Sequence, residues 1–334
     1  MLWQPAAAGA VKCGLCPHRC VIKEGRRGVC MVRENRGGVL FALNYGRVIA
    51  LHVDPIEKKP LFHYLPGSTS LSLAATGCNL LCRHCQNASI SQWPREHAER
   101  ADLPGDDLGP DEVIALAREH HCASISYTYT EPTIFAEYAL DVVKPARETG
   151  IGNVFVTNGY MTPEFVALAS PILDAANVDL KSSSDEFYKK ICGARVGPVK
   201  EAISLLHRAG VLVEVTTLVI PGYNDSDKDL RGVAAFLAGL SPDIPWHVSR
   251  FHPDYRLLDA GPTPRGTLDR ARRIGKDAGL KFIYAGNVPG DDGEHTSCPG
   301  CGARLIERVG FRVRKNRLRE GHCPECATAI SGRW

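Results

Sequence analysis

Cysteine spacing constrains this chain more than any other feature. Thirteen cysteines occur in 334 residues, and eleven of them fall into three groups. Cys13, Cys16, Cys20 and Cys30 form the first, Cys78, Cys82 and Cys85 the second, and Cys298, Cys301, Cys323 and Cys326 the third; Cys122 and Cys192 stand apart. Thiolates so closely spaced can converge on one metal, whereas disulfide frameworks belong to oxidising compartments. Residues 1–10 have neither the basic nor the long apolar stretch of a secretory leader. No segment approaches the run of about 18 apolar residues that a membrane span needs. The expectation is a cytoplasmic chain, off the membrane, with metal centres and two structural cysteines.

With 44% hydrophobic and 23% charged residues, the rest of the chain can build a sizeable core. Short apolar or β-branched runs at 71–75, 124–128, 153–157, 177–180, 211–219, 246–251 and 281–285 predict strands. Helical periodicity separates them, with patterns over 133–149, 198–209 and 267–278, each stopping at a glycine. This alternation predicts a parallel α/β sheet with crossover helices, either a barrel or a doubly wound sheet. Functional residues of such folds gather at the carboxyl ends of the strands. Gly77 and Cys78, Glu131, Asn158 and Gly159, Lys181, Pro221 and Gly222, and His252 all follow strands, so they are expected at one mouth.

Each cysteine group implies a different site. Three thiolates on one loop can wrap a cubane and leave one iron without a protein ligand. A zinc site there would want a fourth ligand, and His84, next to Cys85, would have to fold back to serve. Cys298-Pro-Gly-Cys301 and Cys323-Pro-Glu-Cys326 are paired knuckles around a hairpin-like stretch, 305–313, and four such sulfurs suit Zn²⁺ or a mononuclear iron. The amino-terminal four suit a structural Zn²⁺, with an auxiliary iron–sulfur cluster as the alternative. Both ends are basic, with seven Lys/Arg against two Glu over 12–36 and eight against three over 303–334. These cations are read as offsetting thiolate charge. Aromatic residues are not interleaved with them as on an RNA-binding platform, so nucleic acid is not an expected partner.

The motifs also carry a resemblance. Cys-x3-Cys-x2-Cys after a first strand, ahead of βα units, is similar to radical S-adenosylmethionine (SAM) enzymes. Glu57-Lys-Lys-Pro-Leu61, His63, Pro66-Gly67, Gly77-Cys-Asn, Cys85-Gln-Asn, Asn158-Gly159, Asp179-Leu-Lys181, Ile220-Pro-Gly-Tyr-Asn-Asp225 and Phe251-His252 resemble the pyruvate formate-lyase-activating-enzyme branch. Tyr129-Thr-Glu-Pro-Thr133, Trp246-His-Val-Ser-Arg-Phe-His-Pro-Asp-Tyr255 and Gly286-Asn-Val-Pro-Gly290 resemble the "AmmeMemoRadiSam system" radical SAM family. The chain departs from the glycine-rich motif at Thr130, and it has Val156 where the activating-enzyme branch places an acid.

The resemblance implies a partial (βα)6 barrel over 67–290, a four-cysteine module and lead-in over 1–66, and a zinc-ribbon or rubredoxin-like module over 291–334. It implies a [4Fe-4S] cluster on Cys78, Cys82 and Cys85, and reductive cleavage of SAM to a 5′-deoxyadenosyl radical that abstracts hydrogen from a substrate. The cofactor's chemistry then leaves the protein to bind, orient and exclude water. Glu131, Asn158, Asp179, Lys181 and His252 are the implied SAM contacts. The implied partners are an electron donor such as flavodoxin or ferredoxin, a protein substrate activated as a glycyl radical, or MEMO-like and AMMECR1-like proteins. Modification of RNA or of a small molecule is the alternative activity. A non-enzymatic zinc module is opposed by the central triplet and the strand-end polar residues.

Overall fold

The computed structural model describes residues 2–100, 102–288 and 290–334. Pro289, inside the motif ending at Gly290, therefore lies outside the described residues. Seven parallel strands follow one another across one sheet: β1 (Thr69–Ala75), β2 (Ser124–Tyr127), β3 (Gly152–Thr157), β4 (Ala175–Asp179), β5 (Leu212–Val219), β6 (Trp246–Arg250) and β7 (Ile283–Gly286). The crossovers carry α1 (Pro110–Glu119), α2 (Ala136–Glu148), α3 (Pro163–Ala169), α4 (Val196–Arg208), α5 (Asp227–Leu240) and α6 (Arg265–Asp277). A further strand, Arg47–Pro55, runs antiparallel along β1, and the sheet ends at β7 on its other side. The architecture is an open, partial (βα)6 barrel with a closing strand and a small cysteine-rich module at each end.

Strand alternation sorts the side chains. In β1, Leu71 and Leu73 join the apolar core that includes Val113, Ala117 and Tyr138 from the helices, while Ser70 and Ser72 are buried on the other face. That inner face is polar and internally bonded. Ser70 Oγ lies 2.6 Å from Ser126 Oγ, Thr216 Oγ1 donates to Asn177 Oδ1 at 2.9 Å, and His247 Nε2 meets Glu214 Oε2 at 2.6 Å. On the outside, Gly275 of α6 lets Trp246 approach: a Cβ there would sit 2.9 Å from Ile283 and 3.1 Å from the indole.

Both end modules are tied to the barrel by buried polar contacts. The amino-terminal one pairs Trp3–Pro5, Val11–Cys13 and Val21–Ile22, and adds a hairpin of Arg33–Arg36 with Val39–Ala42. Its Arg33 guanidinium is buried and donates to the Ile134 carbonyl at 3.0 Å and to Glu137 Oε1 at 2.6 Å. The carboxyl-terminal one is a sheet of Thr296–Ser297, Arg304–Val309 and Arg312–Asn316. Residues 56–67, between the strand Arg47–Pro55 and β1, pass beneath the barrel. Ile56, Leu61 and Tyr64 pack there on Val154 and Ala175.

His63 sits at the centre of this floor. Its backbone N–H donates to Glu214 Oε1 (2.7 Å), its Nδ1 contacts the Ser331 carbonyl (2.6 Å) and its Nε2 contacts the Tyr284 hydroxyl (2.6 Å). Arg308 donates to Thr296 Oγ1 (2.7 Å) and to the Phe62 carbonyl (2.8 Å). The carboxyl-terminal module thus docks on the barrel both through the lead-in and directly, with Leu305, Ile306 and Ile330 packed on Phe282 and Tyr284 and Asp291 paired with Arg265 of α6 at 2.8 Å.

Candidate metal and cofactor sites

The loop that follows β1 carries Cys78, Cys82 and Cys85 and is fixed from several sides. It turns at Gly77 (φ +108°), where a Cβ would lie 2.8 Å from Val32 and 3.4 Å from the Cys30 carbonyl. Only glycine lets this turn rest against the amino-terminal module. Leu81 N–H donates to the Cys192 carbonyl (2.8 Å) and Arg83 N–H to that of Ile191 (3.0 Å). Asn158 Nδ2 donates to Asn79 Oδ1 (2.8 Å), and Asn79 Nδ2 to the Tyr160 carbonyl (3.0 Å).

Beneath the loop lies a cavity of about 420 Å³ at the carboxyl ends of the strands. Cys78, Cys82, Cys85, Glu131, Asn158, Asp179 and Lys181 all border it. His252 does not; it is exposed, and its Nε2 accepts from Gln86 Nε2 (3.1 Å), which does border the cavity. The Cys192 contact with Cys82, which raises the Cys82 thiol together with burial, comes from behind the lining. Cys122 is buried in the core, away from this site.

The four charged or amide side chains at the rim are already engaged. Glu131 is fully buried; Oε1 accepts from Thr133 N–H (3.0 Å), Thr133 Oγ1 (2.6 Å) and Thr157 Oγ1 (2.8 Å), and Oε2 from Asn158 N–H (2.8 Å). Burial raises its carboxyl even against these donors. Lys181 Nζ pairs with Asp179 Oδ2 at 2.7 Å. Burial opposes its charge, but Asp179 and the nearby Cys82 and Cys192 outweigh this and raise it well above the usual lysine range. Asn158 Oδ1 accepts from Tyr160 N–H (2.8 Å) while its amide also approaches Cys78 Sγ (3.6 Å). Asn158 therefore orients the cysteine loop.

Lys58, Lys59, Tyr129 and Phe311 border the same cavity, and no role for them was legible in the motifs. Lys59 is buried, pairs with Asp54 Oδ2 at 2.7 Å, and is pushed down to about 8 by burial. Its Nζ lies 4.5 Å from the centre of the Tyr129 ring. Tyr129 has φ +63°, a left-handed conformation that costs an ordinary residue about 1–2 kcal/mol, and its hydroxyl bonds Asp54. Phe311, at the tip of the carboxyl-terminal hairpin, brings that module to the cavity wall.

Sulfur spacing separates two kinds of site. In the carboxyl-terminal module the four Sγ atoms all lie within 4.8 Å of one another, with Cys298–Cys326 at 3.5 Å and Cys301–Cys323 at 3.7 Å. Bonds of about 2.3 Å in a tetrahedron put sulfurs about 3.8 Å apart, so these four could hold one Zn²⁺ or iron ion. Thr328 hydrogen bonds lower the Cys326 thiol to about 6, which favours a ligating thiolate. The Cys78, Cys82 and Cys85 sulfurs are not all within 4.8 Å of one another. Such a spread is too wide for a single ion and suits a larger cluster. Burial raises the Cys78 and Cys85 thiols, as it does Cys82 after its Cys192 contact, so a bound cation would be needed to hold them as thiolates.

Comparison with known proteins agrees with this architecture. Residues 73–234 match the Radical SAM superfamily. The chain is 47% identical over 315 residues to an uncharacterized protein of Methanocaldococcus jannaschii, covering 94% of this chain and 92% of that one. It is 22% identical over 228 residues to the pyruvate formate-lyase 1-activating enzyme of Escherichia coli K12, covering 62% of this chain and 89% of that one. Among solved structures, a radical SAM methyltransferase from Sphaerobacter thermophilus superposes with a TM-score of 0.52 at 18% identity, over 66% of this chain and 67% of that one; this likeness concerns the fold. No helix among the described residues is long and apolar enough to cross a membrane. Domain match, partial barrel and distant activating-enzyme relatives agree: residues 73–234 are a radical SAM domain, and that superfamily implies SAM and a [4Fe-4S] cluster as cofactors.

Proposed function

We propose that Cys78, Cys82 and Cys85 hold a [4Fe-4S] cluster and that this cytoplasmic enzyme cleaves SAM reductively to remove a hydrogen atom from its substrate. One observation carries the reading: the three thiols share a single cavity with Lys181 and Glu131 at the carboxyl ends of parallel strands. When bound, the cluster supplies the electron that breaks the C5′–S bond of SAM.

The chain's own residues bind and orient. Lys181, held by Asp179, offers a cation to the SAM carboxylate. Glu131 Oε2 carries one hydrogen bond and keeps a lone pair for the SAM ammonium. Asn158 fixes the loop through Asn79, and His252 acts at the adenine side through Gln86. The buried walls exclude water from a reactive intermediate.

The substrate is proposed to be a partner protein activated as a glycyl radical, supported by the branch-type motifs and the distant activating-enzyme relative. A flavodoxin or ferredoxin would deliver the electron, and MEMO-like and AMMECR1-like proteins are candidate partners. The closed carboxyl-terminal four-cysteine site is assigned Zn²⁺. Anaerobic reconstitution with iron and sulfide, followed by dithionite and SAM, should yield methionine and 5′-deoxyadenosine. A chain that builds no cluster and leaves SAM intact would overturn the reading. A glycyl-radical EPR signal on an added partner tests the substrate class separately.

A further inference from the structure

The amino-terminal quartet has a geometry and a position that a structural zinc does not explain. Cys13 and Cys30 are buried, and Cys16 and Cys20 are partly so. Backbone contacts draw the segments together: Cys13 N–H donates to the Cys20 carbonyl (2.9 Å), and the N–H of Val29, beside Cys30, donates to Cys20 Sγ (3.4 Å). Yet no three of these sulfurs lie within 4.8 Å of one another. The carboxyl-terminal knuckles of the same chain meet that limit with all four. The quartet therefore shares the wide spacing of the Cys78 loop, not the tight tetrahedron of a single ion. Four thiolates at that spacing match the four-thiolate ligand set of an iron–sulfur cluster.

The position is equally specific. The Arg95 guanidinium donates through one nitrogen to the Val29 carbonyl (2.6 Å) and to the Cys78 carbonyl (3.0 Å). One cation thus bridges the residue before Cys30 and the first cysteine of the central loop. Gly77 lets that loop approach so closely that a Cβ there would lie 3.4 Å from the Cys30 carbonyl. Arg33, paired with Glu137, is buried in the same module. Cys16 and Cys20 are half-buried, and Lys23, Arg26 and Arg36 of the same module are exposed. Such a face steers an acidic partner to its contact.

We propose that Cys13, Cys16, Cys20 and Cys30 hold a second [4Fe-4S] cluster that relays electrons to the central cluster, with Arg95 between the two. The proposal rests on the radical SAM reading and adds the route by which the electron enters. An acidic one-electron donor of the flavodoxin or ferredoxin class reduces the outer cluster by one electron. That electron passes to the central cluster and then into the C5′–S bond of SAM. No atom is transferred at the outer site, where each iron has a thiolate and SAM has no open position.

The test is acid-labile sulfide and EPR on the full chain after anaerobic reconstitution. The wild type should hold about eight sulfides per chain, for two clusters of four. A Cys78→Ala/Cys82→Ala/Cys85→Ala variant should keep about half of that sulfide, with a dithionite-reduced EPR signal that SAM does not shift. A Cys13→Ala/Cys16→Ala variant should lose the other half; the central triplet variant keeps the proposal testable if this one does not fold. About four sulfides in the wild type, with none in the triplet variant and zinc at the quartet, would overturn the relay and leave the radical SAM reading standing. A triplet variant with all the wild-type sulfide would overturn the radical SAM reading and the relay with it.

Discussion

Acidification should weaken the joint between barrel and carboxyl-terminal module through one side chain, His63. It is fully buried, and burial pushes its imidazole down to about 4, against the partly compensating charge of Glu214 and the Ser331 carbonyl. The hydrogen bonds explain why neutrality is tolerated: Nδ1–H donates to the Ser331 carbonyl, leaving Nε2 to accept from Tyr284. In the unfolded chain the same group titrates near 6.5. Below that value the unfolded state takes up a proton that the folded state refuses, so stability falls as pH drops from 6.5 towards 4 and levels off below. A pKa lowered by about 2.5 corresponds to ~3 kcal/mol in full, of which ~2 kcal/mol is lost between about pH 7 and pH 5. Anaerobic guanidinium unfolding of wild type and His63→Gln isolates this effect, because every other titrating group and every metal site is common to both. The wild type should lose ~2 kcal/mol more than the variant over that range. A difference that stays constant with pH would refute the neutral, buried histidine.

Three further outcomes follow from the same contacts. Glu131→Gln replaces one carboxylate oxygen with a donor that faces either Asn158 N–H or the Thr133 and Thr157 group; it should cost about 2–3 kcal/mol in thermal unfolding, and an unchanged Tm would remove Glu131 from the scaffold. Asn79→Ala breaks the Asn158–Asn79–Tyr160 chain without touching a thiol, and should lower sulfide incorporation in the presence of an intact Cys78, Cys82 and Cys85; full incorporation would mean that the loop is set by other contacts. Removing the metal of the carboxyl-terminal knuckles with a chelator should raise hydrogen exchange at 56–67 as well as at 291–334, because Arg308 and Ser331 bond the floor. Unaltered exchange at 56–67 would show that the module docks independently of its metal.

Periodic features were legible in the sequence, and features created by tertiary contact were not. The seven strand expectations fall on β1 to β7 within one or two residues at most ends, because buried parallel strands are short apolar runs between glycines and caps. The strand Arg47–Pro55 escaped because Ile49, Ala50 and Leu51 are half exposed in succession and His52 and Asp54 interrupt the apolar run. Helix α5 contains Gly232 and Gly239 and opens on three charged residues, which dilutes its apolar stripe, although Ser226 caps it through Asp229 N–H. At the site, strand-end position alone placed Glu131, Asn158 and Lys181 at the cavity they share, and the family resemblance added Asp179. His252 also follows its strand but turns outward to Gln86.

What spacing within a group could not convey is distance between groups. Cys30 and Cys78 are 48 positions apart in the chain, and their adjacency depends on a positive φ at Gly77 and on Arg95, neither of which carries a cysteine pattern. Phe311 likewise reaches the cavity because Arg308 and Ser331 seat the last module on residues 56–67 and its apolar residues pack on Phe282 and Tyr284. Cysteine spacing can therefore nominate ligands group by group, whereas the coupling of one group to another is set by how the modules are docked. In this chain the docking residues include the buried Arg33 and Arg308, the half-buried Arg95 and the neutral His63. Their loss should separate sites that remain individually intact, so the route between the cysteine groups can fail while each group still binds its metal.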